Sequence, residues 1–530
     1  MKKFRNKAGI SIALTITIIL SFTTSCRKDM EGLNRDLADI PQDMLAIDGN
    51  EASVMLPGMM TNIISPTDWV YQLQQNLGAD MYGGYLATPT PYLGNVNNLT
   101  YSFVDGWVNY IWDTPQTNIL NTWLQWKLLK FDTKYPDLYG IALICKVWGS
   151  SRAADQFGPI PYSKFGSSSD VSFDTVQEAY NAFFADLDLA IAALSTFEDA
   201  TPEADLLRFK KVDKSTLGGD YTKWIRVANT LKLRLAIRIS RIDPAKAKTM
   251  AESAVSNKFG LLGIADGNFS MIPANAHPLS TISDSWDDVR LGAPTSSILG
   301  GYKDPRLPFY GRPATDAALS GQIIGIRTGI KIDVKETYLN FSKIVIANNT
   351  PIKVMDASES YFLKAEGALR GWNMGGTAQS FYEAGVKASF TAVGASGADA
   401  YLADATSTPA AYVDVKNHAN DAAPLSTITI KWNEGDTFDK RLERIITQKW
   451  IAMYPEGCEA WAEYRRTGYP KLYPVTVNNS QGAIPVGGYI KRFPYTTTFT
   501  NASKAQTDAA VAKEFGGVNS PYKALWWDID

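Results

Sequence analysis

Histidine is scarce in this chain: only two of the 530 residues, His277 and His418, are histidine. Histidine supplies many zinc ligands and most general bases that act near neutral pH. The sequence also contains no H-E-x-x-H, G-x-S-x-G, Walker A or dinucleotide-binding glycine motif. Both histidines lie in loop-like sequence, where we expect exposed side chains. These absences argue against most metal-dependent and histidine-based enzymes, although a pair of carboxylates stays open for glycoside hydrolysis.

Cysteine is also rare: the chain contains three, Cys26, Cys145 and Cys458. A chain of this length can build a core without a covalent staple. We therefore expect Cys145 and Cys458 to be buried thiols, with a single disulfide as the alternative.

Basic runs are also missing, and the net charge is −2. This balance argues against nucleic acid as a partner.

Long apolar runs are confined to the N-terminus. Residues 8–22 are mostly apolar, follow four basic residues and lead to Ser25 and Cys26. The run is shorter than the roughly 20 residues that a membrane-spanning helix needs. This order predicts a lipoprotein signal peptide over residues 1–25 and a lipidated Cys26. An ordinary secretory signal is the alternative. Residues 26–55, which are polar and mixed, are expected to form a tether.

Residues 174–195 show clear helical periodicity. Apolar side chains recur there every three or four positions, which predicts an amphipathic helix with one buried stripe. The stripe consists of Val176, Tyr180, Phe183, Leu187, Ala190 and Leu194. Asp174, followed three positions later by Gln177, is expected to cap the first turn.

A second amphipathic helix is predicted over residues 221–241. Its basic residues are expected to form a solvated face: Lys223, Arg226, Lys232, Arg234, Arg238 and Arg241. Further helices are expected at residues 116–130, 137–154, 244–260, 357–371, 377–391 and 438–454. Paired antiparallel helices of these lengths resemble tetratricopeptide packing, although no clean repeat is present.

The rest of the chain is rich in Gly, Pro, Ser and Asn. Residues 262–350 contain short β-like runs at 322–326 and 343–346, whereas residues 392–437 and the tail from 471 have the character of loops. We therefore expect a mostly α fold, with helical scaffold mainly at 105–260 and 357–470 and loop-rich, short-strand insertions at 262–350 and 392–437. Binding residues usually lie on such loops.

The chain contains 14 Trp and 25 Tyr, and several of these residues lie in loop-like sequence. Tyr82, Tyr85 and Tyr92 stand among Gly, Pro and Asn residues, with Asn95 close by. Tyrosine rings in such a loop can stack on a ligand, while an asparagine can bind its hydroxyl groups. Packing within the turn, or contact with a partner protein, is the alternative.

We have different expectations for two other groups of residues. Trp107, Tyr110 and Trp112 are expected to begin the next helix and to pack inward. Trp286 and Asp287, in the irregular middle of the chain, form a second candidate for ligand binding.

Four segments in chain order resemble those of SusD/RagB-type lipoproteins. They are D-Q-F-G-P-I-P-Y at 155–162, D-P-R-L at 304–307, Y-F-L-K-A-E at 361–366 and the W-I-A-M to R-R-T-G-Y-P block at 450–470. Together with the lipoprotein signal they cover the chain from end to end. We expect these motifs to be structural: a rigid turn at 158–161, and buried ion pairs that involve Glu366, Glu463, Arg465 and Arg466.

The resemblance implies one SusD-like domain over residues 56–530, a helical-pair superhelix with a loop-rich ligand face. It implies an outer-membrane lipoprotein that faces the cell exterior and touches the membrane through its lipid anchor only. Such a protein binds a glycan or a peptide and delivers it to a SusC-like TonB-dependent transporter. No cofactor, metal or catalytic residue is expected. A surface glycoside-degrading enzyme is the alternative, and a structural surface protein is a third possibility.

Overall fold

A computed structural model of the chain describes residues 50–167, 171–200, 209–498 and 503–529. The predicted signal peptide, Cys26 and most of the predicted tether lie outside these ranges. The chain divides into two units between Glu51 and Ala52, and the unit that begins at Ala52 carries the scaffold described below.

α-Helices dominate the described residues, as the sequence predicts. Those of eight or more residues are α1 (Leu56–Ile63), α2 (Asp105–Trp112), α3 (Ile119–Leu128), α4 (Pro136–Phe157), α5 (Val176–Ala200), α6 (Tyr221–Arg238), α7 (Pro244–Val255), α8 (Ala293–Gly301), α9 (Glu359–Leu369), α10 (Ala378–Val393), α11 (Phe438–Met453), α12 (Gly457–Thr467) and α13 (Lys504–Phe515). The last of these lies in the tail, where the sequence analysis expects loops.

Shorter helical segments connect the long helices. The α-helical ones are Asn50–Ser53, Asp68–Tyr71, Phe131–Lys134, Pro278–Ser280, Leu307–Tyr310 and Ala398–Leu402. π-Helical turns span Gln72–Asp80, Asp113–Asn118 and Thr281–Ser285. 3₁₀ turns span Tyr92–Asn95, Asn98–Thr100, Ile264–Asp266, Ala317–Leu319, Lys335–Thr337 and His418–Asn420.

Successive long helices pack against each other, which confirms the helix-on-helix scaffold. α4 packs on α5, α5 on α6 and α6 on α7; later in the chain α9 packs on both α10 and α11. The helix α5 packs on both α4 and α6 through its predicted apolar stripe, because all six residues of the stripe are fully buried.

The first turn of α5 is capped one residue later than predicted. The Thr175 backbone N–H donates to the Glu178 carboxylate at 2.8 Å, and the Glu178 N–H donates to the Thr175 hydroxyl at 3.2 Å. These reciprocal bonds form a capping box. Asp174 instead accepts two bonds from Ser163, from its N–H and its hydroxyl, both at 2.6 Å.

Strands are short, and within the described residues they form two antiparallel pairs. β1 (Leu86–Ala87) pairs with β3 (Arg290–Leu291), and β2 (Phe269–Met271) pairs with β4 (Ile352–Met355). The β-like runs predicted at 322–326 and 343–346 contribute only single bridges. The β1–β3 pair joins the N-terminal loop region to the middle of the chain.

The prediction of a solvated basic face on α6 is wrong for three of its six residues, which are buried. Arg238 has no exposed surface, while Lys232 and Arg234 are 3% and 6% exposed. Arg234 binds both carboxylate oxygens of Glu359 on α9, at 2.8 and 2.5 Å. Lys232 binds Asp188 on α5 at 2.6 Å. Buried charges require such partners, so these three residues face other helices through ion pairs. Lys223, Arg226 and Arg241 are half-buried.

Arg238 belongs to a buried ion cluster that links four helices. Its members are Arg234 and Arg238 of α6, Glu359 and Glu366 of α9, Lys449 of α11, and Glu459, Glu463 and Arg466 of α12. Arg466 holds Glu366 through two bonds of 2.7 Å and Glu463 through another of 2.7 Å. The buried ion pairs that the sequence predicts for Glu366, Glu463 and Arg466 are therefore confirmed.

Arg465 and the two cysteines, for which the sequence also predicts buried positions, lie in the core. Among the described residues Arg465 forms no ion pair; it donates to the carbonyl of Asp155 at 2.6 Å and lies over the ring of Trp461 at 3.8 Å. Cys145 and Cys458 are both buried free thiols, as expected. The turn after α4 begins with Gly158 at φ +102°, a conformation that an L side chain rarely adopts.

Candidate functional site

Five partly exposed aromatic residues lie on neighbouring parts of the chain: the helix Asp68–Tyr71, the loop 88–101, α2, and the segment 281–291, which β1–β3 pairing and contacts with the helix Asp68–Tyr71 bring close. We call this group the aromatic face, and its members are Trp69, Tyr92, Trp107, Tyr110 and Trp286. Trp69 is 47% exposed, and the other four rings are half-buried. A half-buried ring is held firmly on one side and can offer its other side to a ligand.

Edge-to-face contacts fix the orientation of four of these rings. Trp69 meets Tyr110 with ring centroids 5.2 Å apart, and Tyr92 meets Trp107 at 5.5 Å. Trp107 and Tyr110 are three positions apart on α2 and therefore share one side of that helix. Gln72 adds a polar contact by donating its amide to the Tyr92 hydroxyl at 3.1 Å. Four of the five rings are therefore held in two oriented pairs, which α2 carries side by side.

Asp288 links the Tyr92 side of the face to the Trp286 side. It accepts a bond of 2.6 Å from the Thr90 hydroxyl and one of 2.7 Å from Lys335, which also donates to the Trp286 carbonyl at 2.8 Å. Burial raises the pKa of Asp288, but the bonds from Lys335 and Thr90 outweigh it and lower that pKa overall. Burial, then the charge of Asp288, raise the pKa of Tyr92. The face thus presents a carboxylate and a neutral phenol.

Tyr92 and Trp286, two of the six predicted ligand-binding residues, lie on the aromatic face. Asn95 lies beside it, on the same turn as Tyr92, but its amide is already engaged. Its Nδ2 donates to the carbonyl of Ile332 at 2.8 Å, and its Oδ1 accepts from the N–H of Ile332 at 3.1 Å. Asn95 therefore positions the loop in this structure.

Asp287 is adjacent to Trp286 and is also engaged. Its carboxylate binds Arg290 at 2.9 Å and Lys343 at 2.7 Å. Burial raises the pKa of Asp287, but the bonds from Lys343 and Arg290 lower it overall. Its backbone adopts a left-handed conformation with φ +57°. These bonds hold the turn that carries Trp286.

Tyr82 and Tyr85 are not exposed platforms, so the reasoning that loop tyrosines lie outside the core is wrong for both. Tyr82 is 2% exposed and donates its hydroxyl to the Asn98 carbonyl at 2.6 Å. Tyr85 has no exposed surface; it stacks on Trp450 at 4.8 Å and donates to the Trp450 carbonyl at 2.5 Å. Partners far along the chain bury these rings.

Trp107, Tyr110 and Trp112 do belong to a helix, as predicted, but only Trp112 is buried, at 4% exposure. Trp69 is the residue that the sequence analysis missed. A signal was available, because the sequence Pro66-Thr67-Asp68 before it is a typical helix start. A helix that begins at Asp68 carries Trp69 in its first turn.

The two histidines differ from each other. His418 is exposed, as expected. His277 is only 2% exposed, which contradicts the prediction, and its Nδ1 accepts a bond of 3.1 Å from the N–H of Leu279. Burial lowers its pKa to about 4. His277 is thus a neutral cap of a short helical turn.

A groove of about 480 Å³ lies elsewhere, between the loop 427–433 and the first turns of α11. Its only aromatic residue, Trp432, is 6% exposed and donates its indole N–H to Glu434. Its buried guanidinium, Arg444, is bound to Asp436 at 2.9 Å. The groove therefore lacks a ring that a ligand could stack on, and the aromatic face is the better candidate.

Neither a metal site nor a membrane span is found in the part of the chain that the structure describes. No group of three or more His, Cys, Asp or Glu side chains there is arranged to hold a metal ion. None of its helices combines the length and the apolar character needed to cross a bilayer. What the aromatic face can do chemically is stack on a ligand and exchange hydrogen bonds with it.

Solved structures with the same fold come from several bacteria. A chitin-binding SusD homologue from Flavobacterium johnsoniae is 43% identical, with a TM-score of 0.85, over 91% of this chain and 99% of that one. A SusD-like protein from Bacteroides thetaiotaomicron is 35% identical, with a TM-score of 0.84, over 90% and 99% of the two chains. A homologue from Bacteroides vulgatus is 34% identical, with a TM-score of 0.85, over 91% and 99%.

The sequence profile of one family spans almost the whole chain. No curated protein sequence matches the chain significantly. The profile of the SusD-like family, described as SusD and RagB outer-membrane lipoproteins, matches residues 32–528. Fold, motif order and this match agree, and the chain belongs to the SusD-like family of outer-membrane lipoproteins.

Proposed function

We propose that this protein captures a glycan at the outer membrane and delivers it intact to a TonB-dependent transporter. The observation that carries the proposal is the aromatic face, a group of partly exposed rings of which four are held in edge-to-face pairs. A sugar ring offers an apolar C–H surface to such rings, while its hydroxyl groups bind polar neighbours. Family membership supports the same role, because the family consists of outer-membrane lipoproteins.

The proposed ligand class is a β-1,4-linked N-acetylglucosamine oligosaccharide. This choice rests on the chitin-binding homologue, which is 43% identical to the chain. A peptide remains the alternative ligand, and it would use the same rings together with backbone hydrogen bonds.

The proposed anchor is lipid attached to Cys26. Two or three acyl chains hold a protein firmly to a membrane, whereas one holds it only marginally. The helical domain would then stand outside the bilayer.

The size of the rings sets the expected affinity. Covering about 60–100 Å² of ring surface contributes roughly 1.5–2.5 kcal/mol. Two or three such contacts, less the free energy lost in ordering the ligand, correspond to dissociation constants of about millimolar to micromolar. Binding in this range suits a protein that must release its cargo to a transporter.

Calorimetric titration of the full chain in detergent tests the proposal. The ligands are an N-acetylglucosamine oligosaccharide, a glucose oligosaccharide of equal length and a peptide mixture. We expect the first to bind, and Tyr92→Ala and Trp286→Ala each to weaken its binding by roughly 10- to 70-fold, from about 1.5–2.5 kcal/mol per ring. Tyr522→Ala is the matched control, since Tyr522 is 42% exposed and lies outside the aromatic face.

Recovery of the ligand after the titration separates capture from catalysis. Intact ligand supports the capture role. Shortened ligand would instead make the protein a surface glycoside-degrading enzyme, the alternative function. Binding that Tyr92→Ala and Trp286→Ala leave unchanged would mean that the ligand binds away from the aromatic face.

A further inference from the structure

The tip of the loop that carries Tyr92 is built in an unusual conformation. Leu93 has φ +52° and ψ +34°, and the next two residues, Gly94 and Asn95, have φ of +64° and +67°. The left-handed region strains an L side chain, and leucine has no polar group to offset that strain locally. Strained residues of this kind are found mostly where the fold needs them for a function.

The surrounding residues hold this conformation in place. The Thr100 hydroxyl and the Asn479 amide both donate to the Asn95 carbonyl, at 2.6 and 2.8 Å. The Asn97 amide donates to the Tyr92 carbonyl at 2.7 Å. Hydrogen bonds therefore shape the turn from both sides, and burial of Leu93 plays no part.

Leu93 is left in solvent by this arrangement. Its exposure is 61%, although leucine is usually buried in a protein of this size. Val96, three positions on, is 51% exposed, and Val334, on the segment that Asn95 binds through Ile332, is 54% exposed. We call these three side chains the apolar rim of the aromatic face. Leu93 and Val96 thus lie on the turn that carries Tyr92, and Val334 lies on a segment that is hydrogen-bonded to that turn.

Unsubstituted sugar hydroxyl groups gain nothing from such neighbours, because placing them against alkyl groups removes water without replacing its hydrogen bonds. An acetamido methyl group gains from the same contact. We propose that the apolar rim, Leu93 above all, recognises the methyl groups of N-acetylated sugars and makes the site selective for them over unsubstituted glucans. This inference rests on the proposed function and names the residues that set its specificity.

The expected size of the effect follows from the area that one methyl group buries. Burying one such group is worth a factor of about four in affinity. An oligosaccharide that places one or two acetamido groups on the rim should therefore bind roughly 4- to 15-fold more tightly than the glucose oligosaccharide of the same length.

The test compares the two oligosaccharides on the full chain and on Leu93→Asn. Asparagine tolerates the left-handed conformation and removes the alkyl group, so this variant should fold. We expect its affinity for the N-acetylated ligand to fall about fourfold and its affinity for the glucose ligand to stay unchanged. Val96→Thr, which keeps the side-chain volume, should act in the same direction. Val486→Asn is the control, since Val486 is 99% exposed and lies elsewhere.

The outcomes separate the inference from the proposed function. If the wild-type chain binds neither oligosaccharide, both fall together. If it binds the N-acetylated one and Leu93→Asn leaves the ratio of the two affinities unchanged, the inference is overturned while the capture function stands. An equal loss for both ligands would also overturn it, because the rim would then contribute no selectivity.

Discussion

Replacing Asp80 with asparagine should make the protein more stable at neutral pH. Asp80 has no exposed surface and lies in the π-helical turn that packs against the start of α12. Burial, followed by the charge of Glu456, raises its pKa to about 8. The Gly457 N–H and the Tyr71 hydroxyl donate to its two oxygens at 3.2 and 3.4 Å. Asparagine has the same shape: its Oδ1 can accept the bond from Gly457, and its Nδ2 can donate to the Tyr71 hydroxyl, which then acts as acceptor.

The magnitude follows from proton uptake on folding. In the unfolded chain the Asp80 carboxyl has a pKa of about 3.9 and is ionised at neutral pH, whereas in the folded protein it is protonated. The contribution of Asp80 to the free energy of unfolding is therefore greatest below about pH 4 and declines as pH rises toward about 8, by up to ~1.4 kcal/mol per pH unit. Between about pH 5 and pH 7 the wild type should lose roughly 2–3 kcal/mol that Asp80→Asn retains.

Urea denaturation of the full chain in detergent at several pH values between about 5 and 8 measures this difference. Asp439→Asn is the control, because Asp439 is exposed and should leave the pH dependence unaltered. If Asp80→Asn shows the same decline with pH as the wild type, Asp80 is ionised in the folded protein and the reasoning fails.

Two further substitutions test the packing of the scaffold by the same denaturation assay. Arg466→Met leaves two buried glutamates short of a partner and should lower the free energy of unfolding by about 3–5 kcal/mol, whereas Arg312→Met, at an exposed ion pair, should lower it by less than about 1 kcal/mol. Equal effects would show that burial does not strengthen these ion pairs. Gly457→Ala would place a Cβ atom 2.3 Å from the Asp80 Cα and should destabilise by at least about 1–3 kcal/mol. Gly106→Ala, with open space around it in α2, should be neutral or stabilising; a neutral Gly457→Ala would refute the close contact.

The helical scaffold could be predicted because its signal is local. The stripe of α5, from Val176 to Leu194, repeats with the period of the helix, and burial follows that repeat directly. The polar side of α6 has the same periodicity, yet Arg238 is fully buried. Its partners Glu459 and Glu463 lie more than 200 positions away, and no local pattern reveals that they meet it.

Only part of the aromatic face could be predicted from the sequence, because its contacts join segments that are distant along the chain. Tyr92 and Trp286 each stand in sequence that indicates a ligand loop, but the contact between their segments depends on Asp288 and Thr90, which are 198 positions apart. Tyr85 has almost the same local sequence character as Tyr92 and is buried by Trp450, 365 positions away. Local composition thus identified the loops, and only tertiary contacts decide which tyrosine reaches the surface.

Titration of the full chain with an N-acetylglucosamine oligosaccharide, followed by mass spectrometry of the recovered ligand, tests the central claim most directly. The account predicts binding in the micromolar to millimolar range, an unchanged ligand, and a loss of roughly 10-fold or more in Tyr92→Ala. Shortened ligand, or binding that is indifferent to Tyr92, would contradict it.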